Sequence, residues 1–114
     1  MKISSYSFGK IVFQGKSYSS DLIIYPDRVD DLWWREEGHL LTLMDIEEVL
    51  KANPEIIVVG TGAFGMMKVD PALKEILFNR GIELIAERTK EACDVFNRYL
   101  KKGNKVIGMF HLTC

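Results

Sequence analysis

The chain has 114 residues, 47% of them hydrophobic and 27% charged, the balance of one ordinary globular domain and too little chain for two. Its net charge of −1 and pI near 6.1 supply no general pull toward nucleic acid or an anionic membrane surface. No apolar run approaches the roughly 20 residues that span a bilayer, and the opening MKISSYSFGK has neither an apolar signal core nor an Arg-rich import bias.

From the N-terminus, Tyr6 to Phe13 and Lys16 to Tyr25 are β-rich runs that the Gln14-Gly15 pair joins as a hairpin, and Pro26-Asp27 ends the second. Val29 to Arg35, with the pair Trp33-Trp34, reads as a third extended segment. Asp45, followed by Glu47 and Glu48, reads as the N-cap of a short helix that Asn53-Pro54 stops. Glu55 to Gly60 is a buried strand. Asp70-Pro71 has the form of a cap with proline at the first helical position, opening a helix that turns Leu73, Ile76 and Leu77 inward and stops at Gly81. Ile82 to Glu87 is the next strand. Thr89 then caps a helix with Ala92, Cys93, Phe96, Tyr99 and Leu100 on its apolar face, ended by Gly103. Lys105 to Leu112 is the last strand. Apolar strands alternating with helices imply parallel β-α-β-α-β pairing with helices covering a sheet, so the fold class is α/β: an N-terminal hairpin joined to an α/β second half.

The stretch GTGAFG, residues 60–65, spells the dinucleotide-binding fingerprint directly after a strand, and Glu87 stands 22 residues beyond Gly65, near where a ribose-binding acid belongs. Met66 to Val69, however, separate these glycines from the Asp70 cap, which itself puts a carboxylate where a phosphate would sit. Too little chain follows for a full dinucleotide domain, so no cofactor is expected. The glycines read instead as a backbone-shaping turn, with positive φ or a close approach of another segment. Loops at the carboxyl ends of parallel strands are where open α/β folds build sites, and Thr61 with the N–H groups around Gly62 is suited to a small anion.

His111-Leu112-Thr113-Cys114 offers half of a zinc site, but His39 and Cys93 show no completing ligand spacing, and a buried strand histidine bonded to backbone explains His111 as well. A Cys–His nucleophilic pair requires a bend at Thr113, since residues 111 and 114 project to opposite faces of a straight strand. Trp33-Trp34-Arg35 has the residue types of an interaction hot spot, with one Trp inward and one outward; alternatively Arg35 simply pairs with Asp31, Glu36 or Glu37 on the surface. With two cysteines, Cys93 and Cys114, and no disulfide framework, a reduced cytoplasmic protein is expected.

Phe8-Gly9, Tyr18-x-x-Asp21, Trp34-Arg35-x-x-Gly38-His39, Gly60-Thr61-Gly62 after an apolar strand, Thr89-x-x-Ala92 with Asn97, and His111-x-Thr113-Cys114 follow one another along essentially the whole chain. In this order they resemble the Mth-type domain family, whose members include an adipogenesis-associated protein and a mitochondrial complex I assembly factor. The resemblance implies a three-layer α/β domain with a central mixed sheet. It also implies assembly or regulatory roles, and it brings no established activity or cofactor. Its matching positions are Arg35, Gly60, Gly62, Thr89, Asn97, His111 and Cys114, while Thr61 falls where members vary. The assembly role belongs to a mitochondrial relative and this chain shows no targeting segment, so that partner does not transfer. The resulting expectation is a non-enzymatic binding or assembly domain, monomeric or homodimeric, that binds a protein partner and neither nucleic acid nor membrane. Its candidate surface comprises Arg35, His39, Gly60, Thr61, Gly62, Thr89, Asn97, His111 and Cys114, with no catalytic or metal set. The alternative is a small-molecule or anion-binding protein, enzymatic or not, with its pocket at the 60–65 loop.

Overall fold

Ile56-Ile57-Val58-Val59 are four consecutive β-branched residues, stiff at χ1 and suited to a strand covered on both faces. In a computed structural model that describes residues 1–114, they build β7 (Ile56–Thr61), every residue of which is buried. The preceding chain forms β1 (Ile3–Ser7), β2 (Lys10–Phe13), β3 (Lys16–Tyr18), β4 (Leu22–Ile24), β5 (Val29–Asp30) and β6 (Leu40–Leu41), then a 3-10 turn (Leu43–Ile46) running into α1 (Glu47–Lys51). After β7 come β8 (Lys68–Val69), α2 (Pro71–Asn79), β9 (Glu83–Glu87), α3 (Thr89–Lys101) and β10 (Val106–His111).

The main sheet has the order β5-β4-β10-β7-β9. β10 runs parallel to β7 and antiparallel to β4, and β7 runs parallel to β9, so the sheet is mixed. β1, β2 and β3 form a separate antiparallel sheet, and β6 and β8 a parallel two-residue ladder. Strand alternation splits the interior. Ile57, Val59, Ile107, Met109 and Ile23 face α1 and α2, while Ile56, Val58, Val106, Phe110 and Ile24 face α3 and the small sheet. In the second layer Phe96 of α3 stands edge-on to Phe13 and Phe110, with centroids 6.3 and 5.7 Å away. Each such side chain contributes about 1.5–3 kcal/mol by leaving water.

Several expected elements are divided differently. The Tyr6–Phe13 run breaks at Phe8-Gly9, where Gly9 takes φ +78°, and the Lys16–Tyr25 run breaks before Asp21, sending β3 and β4 to different sheets. Only Val29 and Asp30 of the third segment pair as a strand, because the Asp30 side chain accepts the Leu32 N–H at 3.1 Å and turns the chain. Asp45 is not the N-cap. Thr42 occupies that position, and Asp45 reaches back to accept its N–H at 2.8 Å. Nor does Thr89 cap α3: Arg88 precedes the helix and the Thr89 hydroxyl is used elsewhere. Asp70 does cap α2, accepting the Ala72 N–H at 3.0 Å.

Candidate functional site

Parallel pairing of β7 with β10 sets Gly60 beside Phe110 and Thr61 beside His111, so the carboxyl ends of the two central strands emerge together. The hydroxyl of Thr89 joins three segments there: it accepts the Gly62 N–H at 2.8 Å and donates to the His111 carbonyl at 2.6 Å. Gly60 has no room for a side chain, since a Cβ would lie 2.9 Å from that hydroxyl and 3.0 Å from the Phe110 ring. Thr61 donates to the Glu87 carbonyl at 3.0 Å. Both threonine hydroxyls are thus committed within the protein.

Gly62 combines φ +105° with a backbone close approach, for a Cβ would fall 2.5 Å from the Cys114 carbonyl oxygen and 2.9 Å from the His111 ring. The loop clasps the chain beyond β10: Ala63 N–H donates to the Thr113 carbonyl at 2.6 Å and Met66 N–H to that of Cys114 at 3.1 Å. The glycine turn therefore wraps a neighbouring segment. β8 occupies the interval before α2, and the first turn of α2 is satisfied by Asp70.

Beneath the loop lies an ionic cluster that sequence spacing does not reveal. Asp21, on the approach to β4, places Oδ2 2.7 Å from His111 Nδ1 and 3.0 Å from Arg35 Nη2, while its Oδ1 accepts the Leu112 N–H at 2.8 Å. Burial pushes the Asp21 carboxyl up, but the hydrogen bonds from His111, the Leu112 N–H and Arg35 outweigh it and hold it below its ordinary value. With Asp21 as acceptor, His111 carries a proton on Nδ1, so the 3.2 Å approach of Arg35 Nη2 to that atom is a contact between two donors. Arg35 Nη2 also donates to the Gly38 carbonyl at 2.9 Å, and the guanidinium lies 4.5 Å from the Trp33 ring centre. Arg35 is therefore not the surface partner of Asp31, Glu36 or Glu37; its side chain is only 5% exposed and its carboxylate is Asp21.

Every buried side-chain polar atom without a partner belongs to this cluster: Trp33 Nε1, Arg35 Nε and Nη1, and His111 Nε2. The exposed His39 sets its ring edge-on to His111, with centroids 5.9 Å apart. Arg35, His39, Gly60, Thr61, Gly62, Thr89 and His111 thus come together with Asp21. Asn97 does not join them. It lies on α3 and binds both backbone groups of Ile3, accepting at 2.7 Å and donating at 2.8 Å. Cys114 contributes its carbonyl, and its thiol is exposed; Cys93 is buried in the α3 layer, where desolvation and the charge of Asp94 push its thiol up to about 12. No three His, Cys, Asp or Glu side chains converge as a metal-ligand group.

Above the cluster the surface is apolar. Phe64 in the loop and Phe8 in the β1–β2 turn touch with centroids 6.2 Å apart, yet are 64% and 60% exposed. The Phe8 turn is fixed there by the Gly9 N–H, which donates to the Leu112 carbonyl at 2.8 Å. Met66 is half exposed, and Trp34 is 77% exposed while Trp33 is buried. Asp21 is the residue missed by spacing; its only signal is its place in Tyr18-x-x-Asp21, one of the segments that carry the family resemblance.

A family described as a protein of unknown function, DUF498/DUF598, matches residues 3–111. A conserved hypothetical protein, PH1505 from Pyrococcus horikoshii OT3, is similar in structure with a TM-score of 0.83 and 28% identity, each chain covered completely. The protein MT938 is similar with a TM-score of 0.84 and 25% identity, over 99% of this chain and 98% of that one. A Bordetella pertussis protein described as a Mth938-like domain shares the fold at TM-score 0.70 and 18% identity, over 97% of this chain and 85% of its own. No helix is long and apolar enough to cross a membrane. With the mixed sheet and strand-end cluster built as described, the chain belongs to the DUF498/DUF598 family of proteins of unknown function, with a Mth938-like α/β fold.

Proposed function

We propose that this chain is a non-enzymatic binding module of an assembly or regulatory kind, acting in the cytoplasm. It holds a protein partner on the face formed by loop 60–65, the segment 33–39 and the Phe8 turn. The observation that carries this reading is the Phe8–Phe64 pair: two aromatic rings in contact, both more than half exposed, on backbone pinned by hydrogen bonds to residues 112–114. A rigid exposed aromatic pair gives contact area at small entropic cost, and aromatic residues with Arg are the usual binding anchors. The cluster of Arg35, Asp21 and His111 acts as the stiff floor of this face. Pull-down from native lysate with wild type, Phe64→Glu and the distant Phe78→Glu tests it. A protein retained by wild type and Phe78→Glu but lost with Phe64→Glu supports the reading; equal recovery by all three, or none above background, overturns it.

A second reading has its own support. Arg35 Nε and Nη1 and His111 Nε2 are buried without partners, and an anionic small molecule would accept from those two guanidinium nitrogens. Thermal-shift screening against nucleotides, phosphorylated metabolites and carboxylates decides it, with His111→Asn as control. A stabilising compound whose effect vanishes in that variant favours ligand binding over partner binding.

A further inference from the structure

The outer edge of β9 lies at the other end of the sheet order from β5, with β7 as its one neighbour. Its register with β7 is unbroken from Glu83 to Glu87, so no bulge twists the edge away. The Glu83 N–H points inward, donating to the Glu55 carbonyl at 3.1 Å, and the Glu87 carbonyl points inward to Thr61. Backbone groups alternate along a strand, so the N–H and C=O groups of Leu84 and Ala86 point outward.

The two faces of this edge differ in chemistry. On the α2 side, Leu84 and Ala86 adjoin a groove of about 470 Å³ that Phe78 and Ile82 also line, with Lys74 and Glu83 at its polar margin. Phe78, at 82% exposure, is the most exposed large hydrophobic residue in the chain. On the α3 side the alternate residues are Glu83, Ile85 and Glu87, and neither glutamate forms an ion pair with any group of the protein. An incoming strand would set one row of side chains against the groove and the other against two unpaired carboxylates.

We propose that the free edge of β9 is a strand-docking site for an extended segment of a different protein in which basic and apolar residues alternate. Main-chain hydrogen bonds to Leu84 and Ala86 hold the segment, its apolar row fills the groove beside Phe78, and its basic row meets Glu83 and Glu87. Charge disfavours a second copy of this chain in the register with the longest overlap: antiparallel self-pairing about Ile85 sets Glu83 opposite Glu87 of the other copy twice, a like-charge arrangement that costs stability. This edge is separate from the Phe8–Phe64 face, and the proposal stands apart from the function proposed for that face.

The test titrates the isotope-labelled chain with two capped seven-residue peptides, one alternating Lys with Val and one alternating Glu with Val, followed by amide NMR and hydrogen exchange. The Lys peptide is expected to shift amides from Phe78 to Arg88 and to protect the Leu84 and Ala86 N–H groups, while the Glu peptide does neither. The double variant Glu83→Lys with Glu87→Lys changes only exposed side chains. It is expected to weaken the Lys peptide roughly tenfold and to gain binding of the Glu peptide. Ala86→Pro, which deletes an outward N–H, should abolish both. Shifts centred on Phe8 and Phe64, unchanged exchange at Leu84 and Ala86, indifference to the charge reversal, or self-association through β9 would each overturn the proposal.

Discussion

Asp21 Oδ2 lies 2.7 Å from His111 Nδ1, a contact between residues 90 positions apart that joins the start of β4 to the end of β10. Because Asp21 also accepts from the Leu112 backbone and pairs with a nearly buried Arg35, one carboxylate organises the strand ends. Removing one member of such a pair strands the charge of the other. Asp21→Ala is therefore expected to destabilise the fold by about 3 kcal/mol, the lower end for a broken buried pair because Asp21 keeps some solvent contact. Urea unfolding measures this, and a loss below about 1 kcal/mol would contradict the role given to Asp21.

The same carboxylate predicts an acid limit. Its folded value is lowered, so the unfolded chain takes up the proton first as pH falls. The contribution of Asp21 is complete above the ordinary carboxylate value and is lost as pH drops through that value toward the lower folded one. Urea midpoints between pH 5 and pH 2 should fall more steeply for wild type than for Asp21→Asn. Parallel curves would remove Asp21 from the account.

Gly62 and Gly81 separate backbone strain from steric exclusion. Both have positive φ, at +105° and +71°, but a Cβ on Gly81 meets open space whereas one on Gly62 runs into the Cys114 carbonyl. Gly81→Ala should cost about 1 kcal/mol, the ordinary penalty of a left-handed alanine. Gly62→Ala should cost at least about 3 kcal/mol and quicken amide exchange in residues 63–66, because the clasp must open. Equal costs in thermal unfolding would deny the close approach its importance.

The two cysteines should behave oppositely toward an alkylating reagent at pH 8. Cys114 is exposed and should label rapidly, while Cys93, buried and pushed up to about 12, should label only through unfolding. A raised folded value favours the fold below the unfolded thiol's own value, and that advantage drains as pH climbs toward the folded one. Mass spectrometry of partly labelled protein checks the first point, and a shallower alkaline loss of stability in Cys93→Ala the second.

Asn97 serves as a one-residue extension of the small sheet's hydrogen bonding, tied to both the N–H and the C=O of Ile3. Asn97→Ala should cost about 2 kcal/mol, two net hydrogen bonds, and free the first strand locally. Hydrogen exchange should show the loss concentrated at residues 3–7, with the Arg35 cluster unaffected; protection lost at His111 instead would place Asn97 in the functional site.

Much of the second half was legible because its signals are local. The apolar run 56–59, the Asp70-Pro71 start and Gly81 stop of α2, and the apolar stripe of α3 each declare an element within a dozen residues. The first half was less so. β3 and β4 read as one strand because what divides them is Asp21 turning to meet Leu112 and His111, a tertiary contact with no local signature. Thr89 looked like a helix cap because threonine before a helix usually is one, and here a bond to Gly62 and another to His111 outcompeted that use. The β6–β8 ladder, two residues on each strand, is too short to carry a pattern. At the site, the glycines and Arg35 stood out by residue type, but the partner of Arg35 did not, since no spacing rule links positions 21, 35 and 111.

The place of β10 has a consequence for synthesis on the ribosome. It is made after the other nine strands, yet it is inserted between β4 and β7, and the clasp of loop 62–66 closes on residues 113 and 114. While translation proceeds, β4 and β7 must wait unpaired with each other, their apolar faces open to mispairing or to a chaperone. The Phe8–Phe64 surface acquires its shape only when residues 112–114 have cleared the exit tunnel, so a chain stalled short of them cannot offer that surface.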